Sequence, residues 1–153
     1  MNKIDKTLKH AEDHCRERGV RLTDKRKLVL SGLLKSGKAL SAYELVDVCK
    51  AEFNSSIPTM SVYRILDFLE EEKLVHKLHT ANKYVACTHI TCDHEHEVSQ
   101  FLICGQCQEV KEVGISKATM KTLQSSAEKA GYHMLSQQIE MNCICEGCLK
   151  KKN

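Results

Sequence analysis

The chain has 153 residues, of which 42% are hydrophobic, enough for one ordinary domain or two small ones, and small domains need a staple such as a metal ion. No apolar run is long enough to cross a bilayer, and the charged start from Met1 to Lys9 lacks the apolar stretch of a signal peptide, so a cytoplasmic protein with no membrane partner is expected. The net charge of +3 is uneven: residues 1–83 carry 16 Lys and Arg against 12 Asp and Glu, and residues 84–153 carry 7 against 8, so an anionic partner suits the front of the chain.

In chain order, Lys3 to Arg18 reads as a helix ending at Gly19. A second helix is predicted from Asp24 to Ser36, with Thr23 as N-cap, Leu30, Leu33 and Leu34 on one face and Gly37 as its stop. Ser41-Ala42-Tyr43-Glu44 is a capping box that opens a third helix, whose Leu45, Val46 and Cys49 face a core. A polar loop, Asn54 to Ser56, leads to Pro58 in the first turn of a fourth helix. There Val62, Ile65, Leu66 and Leu69 form the buried stripe, which turns Met60, Tyr63, Arg64 and Asp67 outward. An outward Arg can bridge guanine acceptors in the major groove, and an outward Tyr can bond a phosphate or lie against a thymine methyl. Tyr43 is placed to reach the same groove. Leu74 to Leu78, a turn at Thr80 to Asn82 and Lys83 to Ala86 then read as two strands of a wing.

The cysteines divide unevenly as well, with seven of the nine from Cys87 onward. Cys104 with Cys107 and Cys145 with Cys148 form two Cys-x-x-Cys pairs, and four thiolates complete a closed tetrahedral zinc site that has no open position for chemistry. The long gap between the pairs requires a helix and at least one strand, so the ion staples the chain's end onto an earlier hairpin. Disulfides or a redox motif are the alternatives. Cys15 and Cys49 read as small core side chains, and His10 and His14 as a solvated pair on one helix face. Cys143 stands close enough to the second pair to compete for its ion, while Cys92 has no assigned role. The expected fold is α+β: a winged helix-turn-helix domain over residues 1–83, a hinge over 84–92, and a metal-binding α/β domain over 93–153.

The segments Val20-Arg21-Leu22-Thr23, Ser41-Ala42-Tyr43, Ser61-Val62-Tyr63-Arg64 and Val75-His76-Lys77, followed by the two Cys-x-x-Cys pairs, resemble the ferric uptake regulator family over nearly the whole chain. Leu66-Asp67-Phe68-Leu69, Tyr84-Val85-Ala86-Cys87 and Val110-Lys111-Glu112 look most like its zinc uptake branch. The resemblance implies a homodimer that binds double-stranded operator DNA through Tyr43, Ser61, Tyr63 and Arg64, with Ser61 where the family usually has Thr. It also implies dimerisation through the second domain.

His76 on the wing and Cys87 just beyond it are the residues expected at the hinge. The resemblance adds His96 and Glu112, giving a regulatory zinc site of His76, Cys87, His96 and Glu112, with Glu97 at the family's spacing and His94 on the same strand face as alternatives to His96. Two zinc ions per subunit are therefore implied, one structural and one regulatory. A thiolate ligand favours zinc over iron. The implied function is a zinc-responsive repressor of zinc uptake genes, with an iron, manganese or peroxide sensor as the alternative. No enzyme and no small-molecule substrate are expected. The HExxH helix is missing, and Asp93-His94-Glu95-His96-Glu97 is not the deaminase pattern.

Overall fold

The computed structural model describes residues 2–91, 98–135 and 138–151. It divides into two compact units, Met1–Cys92 and Asp93–Asn153. Among the described residues no helix is long and apolar enough to cross a membrane.

The first unit contains four helices and a hairpin: α1 (Lys3–Glu17), α2 (Asp24–Ser36), α3 (Ala42–Phe53), α4 (Thr59–Glu71), β1 (Val75–Leu78) and β2 (Lys83–Ala86). Local chemistry sets the helix boundaries. Thr23 and Ser41 accept backbone amides of the first turns of α2 and α3, and the reciprocal Glu44 contact completes the capping box of α3. Gly37 closes α2 in the left-handed conformation, where a Cβ is strained. Pro58 is the N-cap of α4 rather than a residue of its first turn, and Leu74 precedes β1, so both elements start one residue later than expected. Arg18 caps α1 instead of ending it.

Each helix buries one stripe. Ala11 and Cys15 of α1, Val29, Leu30 and Leu33 of α2, Leu45 and Cys49 of α3, and Val62, Ile65, Leu66 and Leu69 of α4 meet in one core. Val29 is fully buried although the sequence reading singled out Leu34, which is only partly covered. Gly32 of α2 faces α3, where a Cβ would meet Leu45 Cδ2 at 3.4 Å and Val48 Cγ1 at 3.5 Å, ordinary packing distances. The hairpin adds Val75 and Tyr84 to the core. Leu40 pairs with Tyr84 through two backbone hydrogen bonds of 2.9 and 2.8 Å, which seats the wing against the α2–α3 connection.

His14 does not stand in solvent. Its Nε2 lies 3.0 Å from the Glu72 carbonyl at the end of α4, and Arg18 Nε donates to the buried Glu72 carboxylate at 2.6 Å. The helix α1 is thereby pinned at its C-terminal end to the end of α4.

The second unit is a three-stranded sheet in the order β4 (Val110–Ile115), β3 (Val98–Cys104), β5 (Gln138–Cys143), with α5 (Lys117–Lys129) and α6 (Glu146–Lys151). The strand β3 pairs antiparallel with β4 and parallel with β5. An antiparallel neighbour needs only a tight turn, whereas the parallel one needs a crossover, and α5 supplies it. The gap between the two Cys-x-x-Cys pairs thus holds β4, α5 and β5, in line with the helix and strand its length required.

Candidate metal centre and nucleic-acid interface

The first Cys-x-x-Cys pair lies in the turn between β3 and β4. Cys104 N donates to Glu109 O at 2.9 Å and Gln108 N to Cys104 O at 3.0 Å, while Gln108 adopts φ +65°. The turn folds both thiols to one side. The parallel register sets Cys143 opposite Cys104, and Gly105 N donates to Cys143 O at 3.0 Å, so the chain leaves β5 beside the first pair. Two residues later Cys145 N donates to Cys104 Sγ at 3.4 Å, and Cys148 follows on the first turn of α6.

The ligand atoms of Cys104, Cys107, Cys145 and Cys148 all lie within 4.8 Å of one another. Cys107 Sγ and Cys145 Sγ are 3.7 Å apart, and all four cysteines are free of disulfides. Zinc–sulfur bonds of about 2.3 Å in a tetrahedron set neighbouring sulfurs about 3.8 Å apart, so the arrangement fits zinc, whereas a disulfide requires about 2.0 Å. Backbone amides of Cys107, Cys145 and Gln106 hold the Cys104 thiol down to about 6, while hydrogen bonding to Cys145 and the nearby thiols pushes Cys148 up to about 12. Thiols crowded this closely cannot all ionise without a cation among them. Cys143 is no competitor for that ion in this arrangement: its Sγ faces the Met141 carbonyl at 3.6 Å and lies outside the four-sulfur group.

The expected regulatory residues begin on the wing. His76 pairs with Val85, so Cys87, two residues farther on, is its diagonal neighbour on the same face. Cys87 N donates to Leu74 O at 2.9 Å, which extends the hairpin by one residue. The result is a nitrogen and a sulfur ligand within 4.8 Å of each other, with Cys87 buried. Glu112 lies on β4 and accepts a hydrogen bond from Ser99 Oγ on β3 at 2.8 Å. His96 lies outside the described residues, as do its alternatives His94 and Glu97, and Cys92. Ser99 escaped the sequence reading. Its signal is positional, a polar side chain on the inward face of β3 that otherwise carries Phe101 and Ile103.

The four residues expected to read DNA occupy the starts of α3 and α4. Tyr43 is exposed on the first turn of α3, and its ring meets that of Tyr63 edge-on, with centroids 6.5 Å apart. Arg64 is exposed, whereas Ser61 and Tyr63 are half-buried. Met60 is also exposed beside them. The burial of Val62, Ile65, Leu66 and Leu69 leaves Met60, Arg64 and Asp67 exposed, whereas Tyr63, expected to face outward with them, is half-buried against the edge of the core.

Residues 17–142 match the family model described as the ferric uptake regulator family. The zinc uptake regulation protein of Escherichia coli (strain K12) is 37% identical over 144 residues, covering 94% of this chain and 81% of that protein. Among solved structures, a zinc uptake regulator complexed with zinc and DNA superposes with a TM-score of 0.84 at 31% identity, covering 99% of each chain. A second, the holo form of XcZur, does so with a TM-score of 0.76 at 34% identity, covering 94% of this chain and 96% of that one. With a family match that runs from the helical unit through the first Cys-x-x-Cys pair and a 37%-identical relative matched over 94% of this chain, the chain belongs to the ferric uptake regulator family.

Proposed function

We propose that the protein is a zinc-responsive, DNA-binding transcriptional repressor of zinc uptake and homeostasis genes, acting in the cytosol as a homodimer. The observation that carries this reading is that the wing of the DNA-reading unit itself bears a paired histidine and thiolate donor, His76 and Cys87. Metal occupancy is thus chemically tied to the unit that presents Tyr43, Ser61, Tyr63 and Arg64. The regulatory zinc takes His76, Cys87, His96 and Glu112, a mixed nitrogen, sulfur and oxygen set that suits tetrahedral zinc. The structural zinc takes Cys104, Cys107, Cys145 and Cys148. Similarity to a zinc uptake regulator solved with zinc and DNA supports both halves of the reading.

In operation, zinc filling the regulatory site favours the dimer conformation whose two α4 helices match successive major grooves. Linkage makes the effect reciprocal: DNA tightens zinc binding by the factor with which zinc tightens DNA binding, commonly about 1 to 3 kcal/mol. The structural ion stays bound throughout, since such sites contribute on the order of 10 kcal/mol to folding.

The test is DNA binding at fixed salt, using fragments that the protein itself selects from a random pool. Buffered free zinc, iron or manganese is titrated and bound zinc is counted by elemental analysis. Binding should appear only as zinc rises, with one zinc per subunit retained at the lowest concentration. Dependence on iron or manganese instead assigns the chain to another branch of the family, and indifference to every metal rejects the sensor.

A further inference from the structure

Ser99 is a buried polar residue on the central strand of the second unit, and its hydroxyl has a definite task. Across the antiparallel β3–β4 pair its direct partner is Gly114, which has no side chain, and its diagonal neighbour on the same face is Glu112. Glu112 Oε1 therefore reaches Ser99 Oγ, at 2.8 Å. An ionised carboxylate only accepts, so the serine hydroxyl is the donor.

We infer that Ser99 is a positioning residue for zinc, holding one oxygen of Glu112 so that the carboxylate meets the ion through the other. The inference rests on the reading of Glu112 as a regulatory zinc ligand. Its chemistry is twofold. A ligand oriented by a hydrogen bond from outside the coordination shell does not have to be ordered by the metal, and loss of such a partner typically lowers metal affinity about 10- to 100-fold. An oxygen engaged by Ser99 is also a poorer second ligand atom, so Glu112 coordinates through one oxygen. That suits four-coordinate zinc and disfavours manganese and other ions that prefer more oxygen ligands. Ser99 thus contributes to the choice of metal without touching it.

The experiment compares Ser99→Ala, Ser99→Thr, Glu112→Ala and Cys87→Ser in the full chain, each carrying its structural zinc. Regulatory zinc affinity is measured by competition with a fluorescent chelator. Cobalt is then substituted at the same site, and its visible spectrum reports coordination number. Ser99→Ala should weaken regulatory zinc about 10- to 100-fold, narrow the preference over manganese and reduce the intensity of the four-coordinate cobalt bands, while Ser99→Thr, which keeps the hydroxyl, should restore all three. If Glu112→Ala weakens zinc but Ser99→Ala leaves affinity and spectrum unchanged, Glu112 is a ligand and the role of Ser99 is overturned. A Ser99→Ala protein that melts earlier but binds zinc normally overturns it too, because the hydroxyl is then structural. If Cys87→Ser abolishes binding and Glu112→Ala changes nothing, the reading of Glu112 fails, and the role of Ser99 with it.

Discussion

Replacing Arg18 by Met removes the partner of a carboxylate that has almost no water. The Glu72 side chain is 6% exposed and takes Arg18 Nε at 2.6 Å, whereas the Arg18 side chain is 54% exposed. A hydrogen bond to a charged group contributes about 1.5–3 kcal/mol, and breaking a wholly buried pair costs about 3–5 kcal/mol. Because more than half of Arg18 already lies in water, the lower range applies, and Arg18→Met should cost about 1.5–2 kcal/mol. Glu72→Met leaves no buried charge behind, so the double variant should be more stable than the two single losses added together, by about 1 kcal/mol. The chain has no Trp and 4 Tyr, of which only Tyr132 lies in the second unit, so tyrosine fluorescence follows unfolding of the first. Urea transitions of the four proteins at equal zinc loading supply the cycle. A coupling below about 0.3 kcal/mol, the usual additivity error, would show that the contact holds nothing together.

Three further outcomes are expected. Arg64→Ala should lower specific DNA affinity by about 1–3 kcal/mol, measured by fluorescence anisotropy on a selected site, while zinc content and the urea midpoint stay at the parent values. Cys145→Ser should reduce zinc retained after chelator treatment by one ion per subunit and unfold the second unit, as seen by elemental analysis and loss of strand signal in circular dichroism; full retention would remove Cys145 from the staple. The Glu44 carboxyl is held below its ordinary value by the Ser41 backbone amide and by Lys83. Its contribution to stability is therefore present above the unfolded value near 4.5 and is lost as pH falls through the lowered folded value. Glu44→Gln should flatten that acid-side loss in thermal melts between pH 5 and about 3, and an unchanged slope would contradict the capping-box assignment.

Legibility followed the range of the interactions. The boundaries of α2 and the start of α3 were readable because Thr23, Gly37 and the Ser41–Glu44 pair act within one helical turn. The stripe of α4 was readable because Val62, Ile65, Leu66 and Leu69 repeat at the helical period, and the exposure of Met60, Arg64 and Asp67 followed, while Tyr63, at the edge of the stripe, is half-buried. His14 was misread because its partner, the Glu72 carbonyl, is 58 residues away. Cys143 was ambiguous for a related reason: proximity along the chain to Cys145 did not reveal that its thiol faces the Met141 carbonyl.

The sequence by itself determined the alternation of helices and strands, the buried stripe of α4, the four cysteines whose thiols meet and the family, because each depends on residue type at short, regular spacing. Tertiary structure alone decided that β5 runs parallel to β3 and delivers Cys145 to Cys104, that His76 and Cys87 become diagonal neighbours on the wing, and that Ser99 reaches Glu112. Each of those meetings depends on strand register, and a shift of one residue would turn every side chain of the strand to the opposite face.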